Sequence, residues 1–325
     1  MSIFVGKTKW RTCFSSISFN GFKVDILKSA MQKYLRRRNE YKMIWCVKEL
    51  YLFKALARTE QEVKASKGII TNLINRIIIM LDEELLFAEW NIYIKCRLLI
   101  EEFETSNRND ISKLIIICKI LCKSELLRLN SDISSYWWRA IINNKIKTPN
   151  SITDINIDID ETNIFIKNNM LNFINCINNK NPECYYYAFI LFNSKEKSKR
   201  RFKRNEGIYI IWEYLINISI NEKNINLQKC LEYKLKEFYV KNRNERHMFL
   251  SSAISLIMHR EDINWNSELL VQDIIISNEE IIKLFKEHKL IEIDSYAIDM
   301  HTSLGRKLGK DKKDFAKEGS YVVNE

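Results

Sequence analysis

The chain has 325 residues and a mass of 38.8 kDa, and its 52 Lys and Arg against 41 Asp and Glu give a formal charge of +11. Hydrophobic residues make up 46% of the sequence, and there are only 7 Gly and 2 Pro. These values exclude a collagen-like or Pro/Gly-rich low-complexity chain, and they argue against turn-rich β-sandwiches, barrels and propellers.

Apolar residues recur at helical spacing through most of the chain, which predicts an all-α, multi-helical array or bundle. The first stripe contains Phe22, Ile26, Ala30 and Tyr34. Further helices are predicted within Trp45–Leu56, Ile69–Leu86, Trp90–Phe103, Ile111–Cys122 and Glu125–Ile142, and then within Tyr185–Phe192, Ile208–Ile220, Leu227–Val240, Arg246–Met258 and Glu279–Lys289.

Two breaks in this pattern predict the domain boundaries. The first break is at residues 143–161, which alternate Ile with Asn and Asp and contain Pro149, as is typical of a linker. The last 29 residues contain Gly305, Gly309 and Gly319, three of the seven glycines. The sequence therefore predicts a helical domain at 1–142, a linker at 143–161, a second helical domain at 162–296 and a basic tail at 297–325.

The cysteines and the apolar runs indicate the compartment. Eight cysteines lie in apolar surroundings without a C-x-x-C pair, which favours free buried thiols in a reducing compartment. No signal-peptide core is present, and no apolar run approaches the ~20 residues that span a bilayer. We expect an intracellular protein, cytoplasmic or nuclear, without a membrane partner. The Ile, Asn and Lys excess is typical of an AT-rich genome, such as that of a protist or a large DNA virus, where a viral factory or virion is the corresponding location.

The first basic cluster contains Lys33, Arg36, Arg37 and Arg38 at the end of a predicted helix. Cations gathered at a helix end suit contact with a nucleic-acid backbone. The alternative is a solvated helix terminus whose cations complement the helix dipole.

A second cluster lies within 195–204, where seven of ten residues are basic. Its candidate phosphate-binding residues are Lys199, Arg200, Arg201, Lys203 and Arg204. Such a block is either a nucleic-acid or nuclear-localisation patch or a solubilising loop. The preceding Tyr185, Tyr186 and Tyr187 offer faces on which bases could stack, although aromatics in an apolar run belong more often to the core.

The tail supplies a third cluster, with Arg306, Lys307 and Lys310 beside Gly305 and Gly309. Glycine lets a backbone approach a phosphate closely, and neighbouring cations would hold the phosphate there. The alternative is a disordered basic terminus.

Signals for catalysis are weak. Asp299 and His301 form D-x-H, which is at most half of a metal site, and no zinc-ligand quartet is present. The Gly6-Lys7-Thr8 triplet matches only the end of a phosphate loop. We therefore expect no cofactor and no metal, and an enzyme is the less favoured class.

Part of the chain resembles a known family. The pattern includes Ser29-Ala30-x-Gln32-Lys33-x-x-Arg36, then Trp45, Asn75-Arg76-Ile77 and Glu83-Glu84-x-x-x-Ala88, with a looser continuation to residue 139. It resembles the helical C-terminal region of the replication-associated recombination protein A family of AAA+ ATPases (Mgs-type, WRN-interacting). The resemblance implies a clamp-loader-like collar or oligomerisation module in a DNA-transaction setting, without ATP hydrolysis because the sequence given carries no complete phosphate loop.

The favoured function is that of a non-catalytic, nucleic-acid-associated protein of DNA replication, repair or transcription. Its partners would be DNA or RNA, with a homo-oligomer or a replication protein as further candidates. One alternative is a structural or assembly protein, such as a virion component, whose charge neutralises a genome. Another is a nucleic-acid-processing enzyme that uses Asp299 and His301.

Overall fold

A computed structural model of the chain describes residues 17–85, 89–143, 145, 146, 149, 159, 161–198, 206–265 and 274–323. These residues form fourteen α-helices and no β-strand. The predicted all-α, multi-helical class is therefore confirmed.

Two compact units divide the chain. Unit 1 comprises Met1–Leu81, Lys95–Leu126 and Leu269–Glu325, and unit 2 comprises Asp82–Ile94 and Leu127–Glu268. The predicted boundaries assumed domains that are continuous along the chain. In the structure, the N-terminal helices share a unit with C-terminal residues, because Ala297, Asp299 and Gly319 bind Ser29, Lys33 and Arg36.

Unit 1 is built from helices that come from three parts of the sequence. They are α1 (Val24–Arg36), α2 (Glu40–Ala55), α3 (Glu60–Met80), most of α4 (Trp90–Thr105), α5 (Ser112–Lys123), α12 (Asn278–Lys286), α13 (Ser303–Lys307) and α14 (Lys312–Asp314). The core includes Leu27, Leu35, Val47 and Phe53, all fully buried. Burial of these apolar faces is the main force that holds the unit together.

A capping box explains why α3 begins at Glu60 rather than near Ile69, where its apolar stripe begins. The Thr59 hydroxyl accepts a hydrogen bond from the Glu62 amide at 3.2 Å, and the Glu62 carboxylate accepts one from the Thr59 amide at 3.0 Å. This reciprocal pairing satisfies two backbone donors at the helix start and is encoded by the sequence Thr59-Glu60-Gln61-Glu62. Ser277 and Glu280 form the same arrangement at the start of α12.

Unit 2 contains the remaining helices, which are α6 (Leu129–Ile142), α7 (Ile164–Asn178), α8 (Cys184–Asn193), α9 (Tyr209–Asn221), α10 (Ile225–Val240) and α11 (Arg243–Met258). Its core is rich in aromatic rings. Tyr185, Tyr186 and Tyr187 belong to it, with exposures of 4%, 9% and 4%, and Trp137 stacks on Tyr185 with ring centroids 5.9 Å apart. These tyrosines are core residues and offer no open face to a base.

An ion pair is fully buried in unit 2. The Lys234 ammonium contacts the Asp82 carboxylate, and both side chains have an exposure of 0%. Asp82 lies in a π-helical turn, Leu81–Leu85, that follows α3. The Lys234 ammonium also lies 3.9 Å from the centroid of the Tyr93 ring. Burial lowers the pKa of Lys234 far below its ordinary value, opposed by the carboxylate of Glu237.

The cysteines that the structure describes are Cys46, Cys96, Cys118, Cys122, Cys176, Cys184 and Cys230, and all are buried free thiols. Cys13 lies outside the described residues. Within the described ranges, none of the helices combines the length and the apolar composition needed to span a bilayer.

Alkaline conditions are expected to unfold the protein because of these thiols. Burial raises the pKa of Cys122 to about 12 and that of Cys176 to about 11, and it also raises the pKa of Cys46, Cys118, Cys184 and Cys230. Above pH 9 the unfolded chain releases protons that the folded chain keeps. Each thiol therefore removes about 1.4 kcal/mol of stability per pH unit.

Three buried lysines act in the opposite direction. Desolvation lowers the pKa of Lys33 and of Lys48 to about 8 and also lowers that of Lys234, so their contribution to stability rises between pH 8 and 10.5. Six thiols outweigh three amines. We expect the urea midpoint, measured by circular dichroism under reducing conditions, to fall between pH 9.5 and 10.5, and to fall less in Cys122→Ala. A midpoint that is constant or rises across this range would contradict the assignment.

Candidate nucleic-acid interface

The first basic cluster lies where α1 ends. Lys33 and Arg36 occupy the last turn, where cations complement the negative end of the helix dipole. Arg37 caps the helix, and Arg38 follows in the left-handed conformation with φ of +57°. Lys33 and Arg36 are only 4% and 2% exposed, so two of the four predicted phosphate ligands are core residues of unit 1.

Lys33 is held by the C-terminal segment, by which we mean residues 294–323. Its ammonium pairs with the Asp299 carboxylate, and it also donates to the Ser29 hydroxyl at 3.0 Å. Burial opposes ionisation of Asp299, but Lys33 and the backbone N–H of His301 outweigh this effect and keep the pKa of Asp299 below its ordinary value. The pair anchors the segment on α1.

The three arginines donate to backbone carbonyl oxygens. Arg36 donates to Gly319, and Arg37 donates to Glu318 at 2.8 Å and Tyr321 at 3.1 Å. Arg38 donates to Val323 at 3.0 Å and also to Ser124, at the end of α5. The cluster expected to face a phosphate backbone thus binds oxygens of its own chain, and Arg36 chiefly positions the C-terminal segment.

Arg37 also lies between two aromatic rings that the sequence analysis did not single out. Its guanidinium is 4.5 Å from the centroid of Tyr321 and 5.0 Å from that of Tyr296. Tyr321 is 57% exposed. An exposed ring beside a guanidinium is the combination on which single-stranded bases stack.

The third predicted cluster lies on the same segment. Arg306 and Lys307 are exposed in the last turn of α13, and Arg306 donates to the carbonyls of Met300 and His301. Lys310 donates to the carbonyl of Ser295 at 2.7 Å, and its ammonium lies 3.6 Å from the carboxylate of Glu318. Lys310 of the third cluster and Arg37 of the first cluster therefore both contact Glu318 and the 295–296 turn.

The two glycines of this cluster have structural roles of their own. A Cβ atom at Gly305 would lie 1.8 Å from the carbonyl oxygen of Asp299, so only glycine fits beneath that backbone. Gly309 has φ of +73°, and the amide of Lys310 donates to the carbonyl of Gly305, which ends α13. Both glycines therefore shape the segment. The space beside Gly305, where a phosphate was expected to lie, is occupied by the backbone of Asp299.

The second cluster, Lys199, Arg200, Arg201, Lys203 and Arg204, lies outside the described residues, as do Gly6, Lys7 and Thr8.

Charge is distributed very unequally between the two units. Unit 1 has 31 Lys and Arg against 21 Asp and Glu, a formal charge of +10, whereas unit 2 has 21 against 20, a formal charge of +1. Within unit 1, residues 1–81 have 16 basic and 5 acidic side chains, and residues 269–325 have 9 basic and 11 acidic ones. The acidic C-terminal residues partly compensate the basic N-terminal helices, as in the Lys42–Asp294 pair at 2.5 Å.

The catalytic alternative requires Asp299 and His301 to act together on a substrate. Asp299 is 3% exposed and bound to Lys33, whereas the exposed ring of His301 packs edge-on against Phe315 at 5.1 Å. In the part of the chain that the structure describes, no three His, Cys, Asp or Glu side chains are grouped to hold a metal.

Comparisons of the chain with protein-family models, with curated proteins and with solved structures found no match. The resemblance to the replication-associated recombination protein A family therefore stays a prediction.

Proposed function

We propose that the protein binds nucleic acid without catalysis, through electrostatic contact between unit 1 and the phosphate backbone. The observation that carries the proposal is the concentration of charge, since unit 1 has +10 of the total +11. A unit with a net positive charge attracts a polyanion over a distance of about 10 Å at 0.1 M salt and releases counterions when it binds.

Within unit 1, the exposed cations of the C-terminal segment are the proposed phosphate ligands. Arg306 and Lys307 are exposed at the end of α13, and Arg37 and Lys310 are partly exposed. The exposed ring of Tyr321 beside Arg37 favours a single strand, because a stacked base contributes about 1–3 kcal/mol. Lys33 and Arg36 support this surface from within and would not touch the ligand.

The cluster Lys199–Arg204 is a proposed second contact, to be tested by the same assays. A setting in replication, repair or transcription follows from the family resemblance and belongs to the same proposal.

The variant Arg306→Gln/Lys307→Gln tests the assigned surface. Fluorescence anisotropy at low salt should show weaker binding to single-stranded DNA, by a similar factor for two unrelated sequences, because phosphate contacts carry no sequence information. The matched control is Lys223→Gln/Lys229→Gln, which removes two exposed cations of unit 2. The same measurement with RNA and duplex DNA probes of equal length shows which nucleic acid the protein binds most tightly.

Two results would count against this proposal. One is equal loss in the unit 1 variant and the unit 2 control, which would mean that net charge alone governs binding. The other is self-association of the protein in light scattering without any detectable binding of nucleic acid, which would favour the assembly alternative.

A further inference from the structure

A large cavity in unit 1 lies among the end of α2, the first half of α3, the loop between α4 and α5, and α12. Its volume is about 1220 Å³, above the 300–1000 Å³ typical of small-molecule sites. None of its lining residues belongs to the proposed nucleic-acid surface.

The floor of the cavity is apolar. Its lining includes Val63, which is 45% exposed, together with Ile281, Phe285 and Tyr51, which are 7%, 5% and 7% exposed. The Tyr51 and Phe285 rings have centroids 6.2 Å apart. Such a floor accepts an aliphatic or aromatic body, since transfer of apolar surface out of water is favourable by about 25 cal/mol per Å².

The rim carries three cations from three different elements. Lys54 comes from α2, Lys67 from α3 and Arg108 from the loop between α4 and α5. Arg108 is held by the Thr71 hydroxyl at 2.9 Å and the Glu104 carboxylate at 3.3 Å, and Lys54 donates to the carbonyl of Asn107 at 2.8 Å. In the described ranges, neither Lys54 nor Lys67 pairs with a carboxylate.

These cations repel one another. Desolvation lowers the pKa of Lys54, and the charges of Arg108 and Lys67 lower it further. A bound anion would relieve this repulsion. The acidic groups of the rim are Glu104, which pairs with Arg108, and Asp110, which accepts hydrogen bonds from the amide and hydroxyl of Ser112 at the start of α5.

The loop that presents Arg108 is strained. Asn107 and Arg108 are consecutive non-glycine residues with φ of +54° and +61°. The Tyr51 hydroxyl fixes this loop by donating to the carbonyl of Asn109 at 2.9 Å. Left-handed residues held in this way cluster at ligand sites, where the surrounding structure maintains a conformation that costs energy.

We propose that this cavity binds a small organic anion, with the anionic head group at Lys54, Lys67 and Arg108 and the apolar or aromatic body on Val63, Ile281 and Phe285. The head group is a phosphate or carboxylate, because guanidinium and ammonium donors form their strongest hydrogen bonds with these oxyanions. The proposal is independent of nucleic-acid binding.

The first test uses 8-anilinonaphthalene-1-sulfonate, an aromatic anion whose fluorescence rises in apolar sites, with the full-length folded protein. We expect saturable binding of one equivalent. Lys54→Gln/Lys67→Gln should weaken it roughly tenfold or more, the loss expected for one hydrogen bond to a charged group. The matched control Lys64→Gln/Lys123→Gln removes two exposed cations of unit 1 outside the cavity and should bind as the wild type does. Val63→Trp fills the cavity from a position that is 45% exposed and should also abolish saturable binding.

Competition experiments then identify the chemical class of the bound anion. Displacement by adenosine monophosphate identifies an aromatic phosphate, and displacement by dodecanoate identifies an alkyl carboxylate; either result supports the proposal. Neutral adenosine that competes as well as its monophosphate would overturn it, because the head group would then be irrelevant. Absence of saturable binding, or equal weakening in the two lysine variants, would overturn it as well.

Discussion

Lys234→Met is expected to lower the free energy of unfolding by about 3–5 kcal/mol, the usual cost of breaking a buried ion pair. The substitution leaves the Asp82 carboxylate in the core of unit 2 without its partner, and both side chains of the pair are 0% exposed. Met has a similar length, so the loss arises from the uncompensated charge and not from a cavity. Urea unfolding followed by circular dichroism measures the effect.

The double variant Lys234→Met/Asp82→Leu supplies the decisive comparison. With both charges removed, stability should return to near the wild-type value or exceed it, because neither group then has to be desolvated. Lys229→Met, an exposed position on the same helix, should change stability by less than about 0.5 kcal/mol. A double variant no more stable than Lys234→Met would refute the explanation by unpaired charge.

Gly305→Ala is the second substitution with a large expected effect. The new Cβ would lie 1.8 Å from the carbonyl oxygen of Asp299 and 2.9 Å from the hydroxyl of Thr302. Backbone must move to admit it, and Asp299 carries the pair with Lys33 that anchors the C-terminal segment. We expect a loss of about 1–3 kcal/mol or more, as for other overpacked sites.

Gly68→Ala is the matched control for this substitution. Gly68 lies inside α3 with no atom within 4 Å of an added Cβ, so alanine there should stabilise the protein by about 0.5–1 kcal/mol. If Gly305→Ala proved as stable as Gly68→Ala, the close approach of Gly305 to the Asp299 carbonyl would be contradicted.

The helices were predictable because helix formation depends on near neighbours. The apolar stripes located α2 to α6 and α8 to α11 to within a few residues at most ends. The start of α3 is predicted at Ile69 but lies at Glu60, although the sequence of Thr59 and Glu62 is that of a capping box. Prediction there failed because the first turns of α3 have few buried apolar residues, so periodicity alone gives no signal.

The candidate interface was only partly predictable. Arg306, Lys307 and Lys310 are accessible or partly accessible, as the basic pattern suggests, but Lys33 and Arg36 are buried. Their partners, Asp299 and Gly319, lie more than 260 residues further along the chain. No local pattern encodes such contacts. The only signal in the sequence is the acidic excess of residues 269–325 beside the basic excess of residues 1–81.

The salt dependence of affinity tests the central claim most directly. Binding of the full-length protein to single-stranded DNA would be measured by anisotropy from about 50 to 200 mM salt, a range over which phosphate-driven affinity falls steeply. Three or more phosphate contacts predict a log–log slope of about −2 or steeper, at about −0.7 per contact for a single strand. No binding at the lowest salt, or an affinity that does not change with salt, would contradict the account.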